Sequence, residues 1–131
     1  MNQLDAHAMQ RALTEGHPVL VYGDGQQSRD FTYVDDIARG TIAGIKPLGY
    51  EIINLGRGEP VLLMDFVEMM EELSGRKANL VPTPRLAADF VRNVADISKA
   101  RRLLDYQPSV PVVEGVRRFW EWYQAYDAGR G

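Results

Sequence analysis

Residues 19–34 read "VLVYGDGQQSRDFTYV", and the reading of this stretch decides the fold. Val19 to Tyr22 is apolar, β-branched and aromatic, which predicts a strand. The run breaks at Gly23-Asp24-Gly25, a turn signal, and a second strand-like run follows at Phe31 to Val34. The glycine turn could be a plain connection or a cradle for phosphate. The charged pair Arg29-Asp30, standing just ahead of an apolar run, also needs a reason.

Working outward, residues 5–15 predict a short helix, with Met9, Ala12 and Leu13 at helical spacing and Gly16 and Pro18 as stops. On the other side, Asp35 is a good N-cap for a helix to about Ile45, with Ile37, Thr41, Gly44 and Ile45 facing inward. Tyr50 to Leu55 is the most strand-like run in the chain, ended by Gly56-Arg57-Gly58. Leu63 to Ser74 predicts the clearest helix: Leu63, Phe66, Val67, Met70 and Leu73 form one stripe, and Gly75 closes it. Ala78 to Val81 predicts a brief strand halted by Pro82 and Pro84. Asp96 is positioned to cap a helix carrying Ile97, Ala100, Leu103 and Leu104. A last helix, Val112 to about Tyr126, would bury Val113, Val116, Trp120 and Tyr123. Three or four short strands mixed with five helices predict an α/β class, with α+β as the alternative: a small mixed sheet packed by about five helices. No repeat or internal linker divides residues 1–131, so a single domain is expected.

The balance of charge narrows the function. Of 131 residues, 25% are charged and the net charge is -3, so no global basic field recruits nucleic acid or an anionic membrane. Arginine outnumbers lysine twelve to three, and its planar fork suits bidentate contact with oxyanions. There are no cysteines, hence no disulfide and no thiolate metal site. The first ten residues lack a signal peptide's apolar core and no apolar run is long enough to span a bilayer, so a cytoplasmic location is expected.

"GDGQQS" (23–28) and "GRGEPV" (56–61) each begin G-x-G after a predicted strand, but Ser28 and Val61 stand where a dinucleotide fingerprint needs its third glycine. Neither is followed by an acidic residue placed to hold a ribose. "GDGQQS" also leads into a strand, so a connecting turn is the better reading. "GRGEPV" leads into a helix and keeps a weak claim as a backbone-amide site for an anion. His7 and His17 show no metal-ligand spacing, and Asp35 and Asp36 are explained as helix-start residues. Trp120 and Tyr123 in "FWEWY" are better read as core than as a stacking platform for bases.

The combination "RDFTYVDD", "NLGRGEP" and "ADISKAR", in this order and spacing, resembles the C-terminal part of the extended short-chain dehydrogenases/reductases, the NAD-dependent nucleotide-sugar epimerases and dehydratases. The resemblance runs from about Met9 to Tyr123, and "PVLLMDFVE" looks most like the UDP-glucuronate 4-epimerase branch. It implies that NAD and a catalytic Tyr-x-x-x-Lys pair belong to an N-terminal Rossmann domain, while this lobe completes the pocket for a UDP-sugar. It further implies that backbone around Leu20 and Tyr22 meets the base and that Arg29 meets the diphosphate. Asp89 falls where the family contacts ribose. Leu86 occupies a position where the family often carries a phosphate-binding arginine; Arg85, one residue off, and Arg92 are the replacements on offer. None of the six tyrosines has a lysine four residues on. The expectation is therefore a UDP-sugar-binding lobe that binds no cofactor alone and is inactive alone, with NAD in the parent enzyme. Its expected partners are the Rossmann domain or, as the alternative, a second copy in a self-associating module, with no nucleic acid and no membrane.

Overall fold

The computed structural model describes residues 6–85 and 90–128. Its elements are α1 (Ala6–Glu15), β1 (Pro18–Tyr22), β2 (Ser28–Arg29), α2 (Val34–Ala43), β3 (Val61–Leu62), α3 (Leu63–Ser74), β4 (Asn79–Thr83), β5 (Arg92–Asn93), α4 (Ser98–Leu104) and α5 (Val112–Ala128). This is a mixed α/β architecture with five helices among the described residues, as the sequence predicts. The strands form two small sheets. β1 and β4 pair in parallel, with Leu20 opposite Val81 and Tyr22 opposite Thr83. In the other sheet β2 is central, antiparallel to β3 and parallel to β5.

Two apolar clusters hold these pieces. In the first, Met9 and Leu13 of α1, Val19 of β1, Phe66, Val67 and Met70 of α3, and Val116 and Trp120 of α5 are buried together. Phe66 and Met70 are fully enclosed; side chains of this size contribute about 1.5–3 kcal/mol each on burial. Phe31 stacks on Phe66 at 4.2 Å, which draws the segment after β2 onto α3. The second cluster is Ile97, Ala100, Leu104 and Tyr106, with Leu48, Ile53, Leu55 and Leu103 against it. α3 ends as expected, with Gly75 in the left-handed region (φ 66) donating its amide to Glu71 O.

Several local expectations are corrected. Phe31 to Val34 is not a strand: the ladder is only Ser28–Arg29, and α2 already begins at Val34. Tyr33, not Asp35, is the N-cap of α2, with no side-chain cap bond. The inward face of α2 is Asp36 and Gly40, whereas Thr41, Gly44 and Ile45 are exposed. Gly40 is required there because a Cβ would lie 2.8 Å from Leu55 Cδ2 and 2.9 Å from Tyr106 Cε2. Tyr50 to Leu55 forms no ladder among the described residues. Strand propensity needs a neighbouring edge to act on, and none is alongside, so Ile53 and Leu55 pack inward while Tyr50 and Ile52 stay bare. β4 runs through Pro82 to Thr83, because a two-stranded sheet gives proline an outer edge where its missing N–H is harmless. Val113 is exposed, and Val112 packs in its place. Asp96 precedes the α4 N-cap Ile97 rather than being it, yet its Oδ1 accepts from Ser98 N at 3.0 Å and from Ser98 Oγ at 2.6 Å. No described helix is long and apolar enough to cross a membrane.

Candidate functional site

The alternation of β1 sends Val19 and Val21 into the core and leaves Leu20 on the outer face, with Tyr22 half-buried. Their register partners Val81 and Thr83 share that face, so Leu20, Val81 and Tyr22 make a small, partly exposed apolar platform. It ends at the glycine turn. Gly23 donates its amide to Thr83 O at 2.9 Å, and Gln26 N bonds to Asp24 Oδ1 at 3.0 Å. That amide, with the nearby Arg85 guanidinium, holds the Asp24 carboxyl below the usual carboxylate range. The turn joins strands of different sheets and is therefore a connection, not a hairpin.

Arg85 lies over this turn. Its Nη2 reaches Asp24 Oδ1 at 3.1 Å, and a Cβ on Gly23 would come within 2.9 Å of its Nε. Glycine at 23, with φ 78, thus lets a guanidinium rest on bare backbone at the end of the platform. Arg29, on β2, donates from Nη1 to Ser28 O at 2.9 Å and to Phe90 O at 2.8 Å. Arg92, on β5, is exposed and pairs in register with Ser28. Strand alternation sets Arg29 and Arg92 on opposite faces of that ladder. The structure thus brings Leu20, Tyr22 and Arg85 to one edge, while Arg29 and Arg92 stand on paired strands of the other sheet. Asp89 and Leu86 lie outside the described residues.

Asp30, the half-buried neighbour of Arg29 in sequence, is the residue that sequence reasoning missed. Asp30 Oδ1 accepts from Arg57 N at 3.0 Å and from Thr32 Oγ1 at 3.2 Å; Oδ2 accepts from Gly58 N at 3.0 Å and Ala95 N at 3.1 Å. A Cβ on Gly56 would sit 2.8 Å from Oδ2 and 2.6 Å from the Ala95 Cβ, so only glycine admits the carboxylate. This corrects the reading of "GRGEPV" as an anion site for a ligand: its amides do bind an anion, and the anion is the protein's own Asp30. The Arg57 side chain is engaged too, donating to Val110 O at 2.9 Å and pairing with Glu59 Oε2 at 2.8 Å. Above Asp30 opens a cleft of about 520 Å³, bordered by Thr32, Asn54, Gly56, Asn93 and Ala95.

Asp36 plays the same part at the far end of the motif. It is fully buried, accepting from Ser109 N at 2.9 Å and Val110 N at 3.0 Å and pairing with Arg39. Burial pushes its carboxyl up, but the two amides and the Arg39 charge outweigh that and leave it below the ordinary range. Nothing in the sequence near either aspartate marks these partners, which are backbone amides 27 to 74 residues away. Neither glycine turn fits a dinucleotide: the first runs on into a strand with amides bonded internally, and the second is filled by Asp30.

Residues 3–56 match the model of the NAD dependent epimerase/dehydratase family. The UDP-glucuronate 4-epimerase of Thermodesulfobacterium geofontis is 50% identical over 109 residues, covering 82% of this chain and 34% of that protein. Among solved structures, UDP-glucuronic acid 4-epimerase from Bacillus cereus, in complex with UDP-glucuronic acid and NAD, superposes with a TM-score of 0.84 at 32% identity. That match covers 94% of this chain and 40% of the other. An epimerase from Methanothermobacter thermautotrophicus gives a TM-score of 0.87 at 32% identity, covering 99% and 40%. The chain thus spans about a third of the length of that curated relative and two fifths of these solved chains.

Proposed function

The chain belongs to the NAD-dependent epimerase/dehydratase family, and from that premise we propose that residues 1–131 form one lobe that recognises the nucleotide end of a UDP-sugar. A separate cofactor-carrying portion supplies NAD and the proton-transfer pair. The observation that carries this reading is the platform of Leu20 and Tyr22 ending at a glycine turn with Arg85 over it and Arg29 on the next strand. An apolar ledge suits a nucleobase, and guanidiniums beside exposed backbone suit a diphosphate. The solved relative bound to UDP-glucuronic acid names the ligand class to test. Epimerases and dehydratases of this kind need an acid-base residue next to the nicotinamide. No tyrosine of this chain has a lysine four residues on, so the chain alone binds without turnover.

Calorimetry with UDP and with UDP-glucuronic acid tests the proposal. Binding is expected for both, weakened at least fivefold by Arg29→Ala. Absence of binding even when a cofactor-carrying domain and NAD are added would remove the reading. A second reading has its own support: Ile42, Ile45, Tyr50 and Ile52 are all more than half exposed, and bare apolar surface of this kind favours association. Under that reading the chain is a self-associating or partner-binding module. Sedimentation velocity separates the two, since a species that stays monomeric at rising concentration argues against it.

A further inference from the structure

The pair Arg29-Asp30 grips one segment at both ends. Arg29 Nη1 holds Phe90 O at 2.8 Å, and Asp30 Oδ2 holds Ala95 N at 3.1 Å. Between these two bonds lies β5, which carries Arg92 and pairs with β2 over only two residues. So short a ladder fixes little by itself. The same carboxylate also binds Arg57 N and Gly58 N, so β2 is tied to the 56–58 turn on its other flank. Asp30 follows directly on the last residue of β2, so its bonds fix the end of the strand that carries Arg29.

We propose that Asp30 is a positioning residue for anion recognition: by gathering the Arg57, Gly58 and Ala95 amides it sets the place of the adjacent Arg29 relative to the Leu20–Tyr22 platform. This inference rests on the UDP-sugar reading above and adds to it a residue that never touches the ligand. The amides around Asp30 are three donors converging on two oxygens. An asparagine there must turn its own NH2 toward at least one of them. Asp30→Asn therefore preserves shape and removes the clamp.

The test compares UDP with uridine, because a loss of diphosphate positioning weakens only the first. In the 131-residue chain, Asp30→Asn is expected to weaken UDP on the order of tenfold, the worth of one well-placed charge-assisted hydrogen bond. Uridine binding should stay within about twofold, since no phosphate contact is at stake. In an Arg29→Ala background the same change should have little further effect, because its action passes through that arginine. A merely structural role would lower UDP and uridine by the same factor, and that result would overturn the proposal. So would unchanged UDP affinity in a variant whose Arg57, Gly58 and Ala95 amide resonances have moved. Failure of the wild-type chain to bind UDP, alone and with the cofactor domain and NAD, is a different outcome: it removes the nucleotide site itself and this inference with it.

Discussion

Replacing Asp36 with alanine isolates how much one internal carboxylate holds in place. The side chain is fully buried and accepts from Ser109 N and Val110 N at 2.9 and 3.0 Å. The Arg39 head is 55% exposed, so it regains water when its partner is removed and its share is discounted for screening. Ser109 is exposed as well, whereas Val110 is buried and its amide finds no new partner. Two bonds to a charged acceptor, one of them leaving a buried donor unpaired, give a loss of about 3 kcal/mol. Against a total of about 7–20 kcal/mol for a chain of this length, that is a large fraction. With a urea slope of about 1.5 kcal/mol/M, the unfolding midpoint should fall by about 2 M, and Asp36→Asn should fall about half as far.

The pH dependence provides an independent check. The folded carboxyl of Asp36 lies below its ordinary value. Its ionisation therefore stabilises the fold above the unfolded value, near pH 4, and that contribution is lost as pH falls through the folded value. The gap in midpoint between wild type and Asp36→Ala should be widest at neutral pH and shrink in acid. A midpoint loss under about 0.5 M, or a gap that widens below pH 4, would refute the reasoning.

Three other residues give outcomes of their own. Gly40→Ala forces a methyl against Leu55 and Tyr106 at under 3 Å and should destabilise by about 1–3 kcal/mol, read from the same urea curves. Tyr106 donates to Gly56 O at 2.8 Å from a buried position. Tyr106→Phe should lower the melting temperature by a few degrees, for about 1 kcal/mol. Burial, then the charges of Asp36 and Asp30, push the Tyr106 phenol up, so spectrophotometric titration should find a phenol ionising above the ordinary tyrosine value that Tyr106→Phe removes. Glu114, bonded by Arg117 and then Arg118, is held down at about 2. Carboxyl carbon NMR should show it titrating well below the ordinary glutamate value of 4.5, and Arg117→Ala should raise it toward that value.

What the sequence made legible is what depends on local pattern. The stripe of α3, its Gly75 cap, the inward set of α4 and the burial of Trp120 all follow from spacing along one element. Leu20 and Tyr22 could be placed on a strand for the same reason, although which face they share depends on a partner strand 61 residues away in register. Tyr50 to Leu55 fails for the converse reason: its residues favour a strand, but a strand exists only where another edge lies beside it. Phe31 fails because stacking on Phe66 outweighs its strand preference. The partners of Asp30 and Asp36 were out of reach, since they lie 27 to 74 positions along the chain and are backbone amides, which leave no mark in the residue letters.

Those two aspartates explain why so little sheet suffices. Among the described residues, three of the five strands are two residues long, too short to fix a neighbour by ladder bonds alone. In their place, a carboxylate with up to four lone-pair sites gathers amides that no strand reaches: Arg57, Gly58 and Ala95 on Asp30, Ser109 and Val110 on Asp36. Glu71 does likewise, bonding Lys77 Nζ and then the Ala78 amide that leads into β4, and its carboxyl too lies below its ordinary value. A lobe joined this way draws part of its tertiary order from ionised acids where another fold would use strand pairing. Protonation removes the charge of Asp36 and Glu71, so acid should loosen the joints they hold before it melts the helices. Amide hydrogen exchange below pH 4 would then show Ser109, Val110 and Ala78 losing protection ahead of the interior of α3.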